Sequence, residues 1–156
     1  METSVWEILV KGAPESILAA LCVYYFCDIK RPKTGEMLLL WAILMIVTFI
    51  SRSVLQMTGY GMSLLITMAV LVVIFNLIAK IPLTKVINGT LMLVLFLIIS
   101  EALNFLSIHL LFPEKMELIL KDSNTRMVYT IPSTIILAVQ VFLVYYFKFM
   151  RKRKDV

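Results

Sequence analysis

Five long apolar runs alternate with short polar breaks along the chain, over about 8–27, 37–55, 62–77, 86–111 and 131–149. A helix that crosses a bilayer needs roughly 20 mostly apolar residues, and each run approaches or exceeds that length. The breaks carry turn chemistry: "DIKRPKTGE" holds Pro32 and Gly35, "TGYG" holds Gly59 and Gly61, "KIPLTK" holds Pro82, and "FPEK" holds Pro113. The pattern predicts an all-α fold, a polytopic membrane helix bundle of five transmembrane helices. There is no internal repeat and no second domain, so residues 1–156 form one transmembrane unit. The third run is the shortest, and the fourth is long enough to tilt or to begin as an interfacial turn. In "PEKMELILKDSNTRMVY", Met116, Ile119 and Leu120 recur at helical spacing between charges, which predicts a short amphipathic helix lying on the outer surface over 114–121.

Composition identifies the solvent for these helices. The chain is 61% hydrophobic and 16% charged, against about 45–50% apolar and about 25% charged in soluble domains. A domain of 156 residues leaves much of its surface outside, so the surrounding medium is lipid. The N-terminus carries Glu2 and Glu7, lacks a basic head and shows no small-residue cleavage pattern, so the first run is expected to be retained. Cys22 and Cys27 are offset by about 140° on a helix and are expected to be separate packing residues. With one His and two Cys, no metal site is expected, and no cofactor is implied.

The Lys and Arg residues give a direction. Lys30, Arg31 and Lys33 follow the first run, Lys80 and Lys85 follow the third, and Lys148, Arg151, Lys152, Arg153 and Lys154 close the chain: ten of the fifteen bases. The other breaks hold Lys11, Arg52, Lys115, Lys121 and Arg126, with Glu114, Glu117 and Asp122 among the last three. Basic residues collect on the cytoplasmic side, so the N-terminus is expected outside and the C-terminus inside. Tyr24, Tyr25, Tyr145 and Tyr146 fall at the inner boundary, and Trp6, Tyr60 and Tyr129 at the outer one, where amphipathic rings are favoured. The net charge of +5 is explained by these flanks without nucleic acid.

Ionisable residues inside the runs are the candidate chemistry. Glu101 and Asn104 sit within "LFLIISEALNFLSIHLLF", Glu15 lies in the first run, and Arg52 closes the second. All fall toward the outer leaflet. A charge at the bilayer centre costs roughly 2.5–3.5 kcal/mol on insertion scales, so such groups face the bundle and pair. Arg52 between Glu15 and Glu101 is the economical arrangement, because a guanidinium fork serves two acceptors. Ser16, Thr48, Ser51 and Gln56 are placed nearby, and Ser133 and Gln140 share a stripe of the fifth run. Together they describe a polar pocket opening outward. The competing reading is structural: Arg52 reaches the surface, Glu15 sits at water level, and Glu101 with Asn104 serves as interhelical glue.

The remaining signals are weaker. His109 near the outer end of the fourth run is expected to be solvated. Asn88-Gly89-Thr90 matches a glycosylation triplet, but at the inner edge, where the modification has no use. The tail "YYFKFMRKRKDV", with Lys148, Arg151, Lys152, Arg153 and Lys154, is a membrane-surface anchor that attracts anionic lipid. No nucleophile elbow, zinc helix or phosphate loop is present, and the expectation is that the chain is not an enzyme.

An early "PES" turn, an arginine closing the second span, "SEALN" in the fourth and "IPS" opening the fifth make the chain resemble the membrane sensor region of Gram-positive receptor histidine kinases of the peptide quorum-sensing type. The resemblance implies a sensor module in a bacterial plasma membrane, with Glu15, Arg52, Glu101 and Asn104 responding to a peptide or amphiphilic ligand. The sequence closes at Val156 without a phosphoacceptor or nucleotide-binding region, so the output is expected to pass through a partner such as a histidine kinase, with an oligomer allowed. Two other classes stay open: a carrier or substrate-capture subunit of a transporter, and a structural membrane scaffold.

Overall fold

The structure is a computed structural model that describes residues 8–54, 60–115 and 123–150. Among these residues all regular structure is helical, with no strand. A π-helical turn, Ile8–Gly12, leads into α1 (Ala13–Phe26), followed by α2 (Thr34–Val54), α3 (Tyr60–Ile78), α4 (Leu83–Leu111) and α5 (Ser123–Tyr145), which a second π-helical turn, Tyr146–Met150, extends. The five runs of the sequence thus become five helices. Of the surface helix expected over 114–121, only the 3-10 turn Pro113–Lys115 lies within the described residues.

One predicted boundary moves: Pro132, expected to open the last helix, lies inside α5, which begins at Ser123. Pro14 of the "PES" stretch sits in the first turn of α1, where a missing N–H costs nothing and the fixed φ suits the helix.

Helix α1 ends in a closed cap. Ile29 N donates to Tyr24 O at 3.0 Å and Asp28 N to Tyr25 O at 3.2 Å, the paired bonds of a Schellman motif. Such a cap needs a left-handed residue, and Asp28 supplies it with φ 69°. At the end of α3, Lys80 takes φ 51°, and Asn76 Nδ2 donates across that turn to Ile81 O at 3.0 Å.

Helices α1, α4 and α5 pack against one another, and the α2–α3 pair leans on α1 and α4. Small side chains on α1, notably Ala19, Ala20 and Cys22, are buried in this contact. On α4 the matching small residue is Gly89: a Cβ there would lie 3.3 Å from Val23 O and 3.4 Å from Phe26 Cβ. Close approach through small residues is how helices pack when lipid removes the hydrophobic drive between them. Tyr24 then meets Phe75 of α3 with ring centroids 5.0 Å apart. Leu40 and Leu44 of α2, Leu93 of α4, and Leu137 and Val141 of α5 complete the core. Cys22 and Cys27 are both buried and free.

Two segments, Leu83–Leu111 and Val128–Met150, are long and apolar enough to cross a membrane. Their apolar windows are only 22% and 17% buried, whereas a core helix of a soluble protein would be mostly covered. Large side chains such as Leu77, Leu110, Leu111 and Phe142 stand outward. An apolar surface of this extent points to lipid contact.

Candidate functional site

The polar side chains within the helices gather at opposite ends of the α1–α4–α5 bundle. At the end where α4 finishes and α5 begins, the central feature is an ion pair. Lys11, in the π-helical turn before α1, is only 8% exposed, and its ammonium lies 3.8 Å from Glu101 Oε1 on α4. Glu101 is the open partner, its side chain 64% exposed. Among the described residues, the partner of Glu101 is thus a lysine. The chain is helical from Ile8, where the first run was expected to begin, and Lys11 is buried in the packing around α1. Arg52 lies in the last turn of α2, and its side chain is outside the described residues. Glu15 is half-buried in the first turn of α1, about one turn beyond Lys11.

Asn104, one turn beyond Glu101, is buried. Its Nδ2 donates to the main-chain oxygen of Tyr129 on α5 at 3.0 Å. That carbonyl lies in the turn that Pro132 disturbs: proline has no N–H for Val128 O, and its ring crowds the turn before it. Asn104 bonds the next carbonyl along, that of Tyr129, one residue beyond the one that proline leaves without its main-chain donor. Ser133 is buried, and its hydroxyl donates within α5 to Thr130 O at 2.7 Å. Ser16 donates to Gly12 O and Ser100 to Leu97 O in the same self-contained way. Trp41 of α2 joins this end through its indole N–H, 3.2 Å from Ala13 O. Phe112 and Tyr129 pack edge to face at 5.8 Å.

The opposite end is built on Lys148. Its ammonium donates to Tyr25 O and Phe26 O, both at 2.9 Å, and lies 2.9 Å from Asp28 Oδ1. Lys85 at the start of α4 approaches Asp28 Oδ2 at 3.7 Å. Lys148 thereby neutralises the negative end of the α1 dipole with direct bonds to two terminal carbonyls. Expected as part of a surface anchor, it also clamps the π-helical extension of α5 to the end of α1. The other anchor residues, Arg151, Lys152, Arg153 and Lys154, lie outside the described residues.

Gln140 does not join the Glu101–Asn104 end. It lines a cavity of about 470 Å³ together with Phe26, Phe96, Leu143, Phe147 and Lys148, and its Oε1 is buried without a hydrogen-bond partner among the described residues.

Sequence reading missed two features, Lys11 and the Asp28–Lys148 contact. The signal for the second was present: Asp28 directly follows the first run, and Lys148 closes the fifth on the same predicted side. Compared with known protein families, with curated proteins and with solved structures, the chain finds no match.

Proposed function

We propose that the chain is an integral membrane sensor module of five spans, with the Lys11–Glu101 end facing outward and the basic Lys148 end facing the cytoplasm. The orientation is supported by the ten of fifteen bases that follow the first, third and fifth runs in the sequence. The reading rests above all on the buried Lys11 paired with Glu101. Taking a charge out of water costs more than one loose ion pair returns, so stability alone does not account for it. Intramembrane charges of this kind serve function by default.

A peptide or small amphiphile that engages the open carboxylate of Glu101 competes with Lys11 for it. Releasing Lys11 loosens α1 from α4, and α4 is tied through Asn104 to the proline-disturbed turn of α5. Helix α5 ends in the clamp on α1. Displacement at the outer end thereby reaches the inner end, where a partner such as a histidine kinase reads it. No catalytic step is involved, and the setting is a bacterial plasma membrane.

The test uses the full chain in lipid nanodiscs, with spin labels at Arg31→Cys and Met150→Cys. Lys11→Met and Glu101→Gln, each alone, are expected to shift the distance distribution between the labels while helical content persists. An unchanged distribution in both variants contradicts a sensor. So does loss of folding in each single variant with recovery in the pair, which marks the two charges as mutual structural support.

A further inference from the structure

The cavity beside Lys148 is an open groove between α4 and α5 with Phe26 of α1 as its floor. Met92 and Phe96 form one wall and Leu143 and Phe147 the other. From Gln140 to Lys148 the groove follows α5 for about 12 Å. Its volume of about 470 Å³ lies within the range of about 300–1,000 Å³ typical of ligand clefts.

The lining argues against a docked helix. Transmembrane helices seat on small residues that let backbones approach, as α1 does on Gly89. This groove presents phenylalanine, methionine and leucine, which conform to a flexible chain. Lys148 contributes its aliphatic stem, because its ammonium is held by Tyr25 O, Phe26 O and Asp28. Charge identifies the headgroup. Among the described residues, the six bases of this end, Lys30, Arg31, Lys33, Lys80, Lys85 and Lys148, face only Asp28 and Glu36, a net +4. Lys85 stands at the same end with its side chain about half exposed, and four more bases follow Met150 in the sequence.

We infer that the groove holds an acyl chain of an anionic phospholipid, whose phosphate is drawn to the basic end of α4 and α5. The inference rests on the membrane location of the bundle and is independent of signalling.

The test reconstitutes the full chain in vesicles with phosphatidylglycerol carrying a photoreactive diazirine in its acyl chain, and in parallel with phosphatidylcholine carrying the same chain. Adducts are mapped by mass spectrometry. Phosphatidylglycerol is expected to label Met92, Phe96 and Phe147 about fivefold more than phosphatidylcholine, the preference that a single basic residue near the headgroup confers. Leu143→Trp, which fills the groove, is expected to remove that preference with helical content unchanged. Equal labelling by the two lipids overturns the inference. So does labelling spread evenly over Leu38, Ile46 and Val73 on the outward faces of α2 and α3, or protein-to-protein crosslinks at the groove that mark it as a seat for a second copy. Because the readout is lipid contact, it can fail while the distance shifts of the sensor test persist, and the reverse.

Discussion

The side-chain amide of Asn104 on α4 donates to the main-chain carbonyl of Tyr129 on α5 at 3.0 Å. The accepting carbonyl is one residue beyond Val128 O, which Pro132 leaves without a main-chain donor, and the proline ring crowds the same turn. Asn104→Leu is expected to lower the unfolding free energy in mixed micelles by about 0.6–1.7 kcal/mol, the range measured for interhelical hydrogen bonds in a membrane protein. In a Pro132→Ala background, where the proline ring no longer crowds the turn that presents Tyr129 O, the same change is expected to cost less. Strict additivity of the two substitutions contradicts the link.

Asp28 has two duties that substitution separates. It holds Lys148 and Lys85, and it occupies a left-handed conformation with φ 69°. Asparagine keeps the second duty and loses the first, whereas alanine loses both, with roughly 1–2 kcal/mol added for the left-handed backbone. The expected order of thermal stability is therefore native, then Asp28→Asn, then Asp28→Ala. Lys148→Met removes charge-assisted bonds to two helix carbonyls and is expected to cost about 1.5–3 kcal/mol. A Lys148→Met protein as stable as the native chain contradicts the clamp.

Gly89 offers a steric test. A methyl group there meets Val23 O at 3.3 Å, and a backbone oxygen retreats only if α1 moves. Gly89→Ala is expected to destabilise by about 1 kcal/mol, at the low end for overpacking, while Asn88→Ala on the exposed side of the same turn leaves stability unchanged. Equal stability of the two variants contradicts the close packing of α1 on α4. The contact also explains Gly89-Thr90 as packing residues within what reads as a glycosylation triplet.

The number, order and approximate limits of the helices were legible because each apolar run ends in proline, glycine or charge. Pro132 was read as the start of the last helix because in water a proline inside a helix is a breaker, whereas in a packed apolar bundle neighbouring groups make it tolerable. Ser133 and Gln140 share one stripe of α5 by their spacing, yet seven residues separate them by about 10.5 Å along the axis. One face therefore serves two sites: Ser133 lies at the Glu101 end and Gln140 in the Lys148 groove. Identifying Lys11 as the partner of Glu101 required knowing which helices touch, which periodicity does not encode.

The placement of a bilayer between the two polar ends underlies every functional statement and is open to direct measurement. Cys22 and Cys27 are buried, so exposed cysteines introduced one at a time at Lys33 and Glu114 can be followed with a membrane-impermeant maleimide. A bundle that crosses the membrane predicts labelling of Glu114→Cys in intact cells and of Lys33→Cys only after the cells are opened. Labelling of both in intact cells, or of neither until opening, would contradict it.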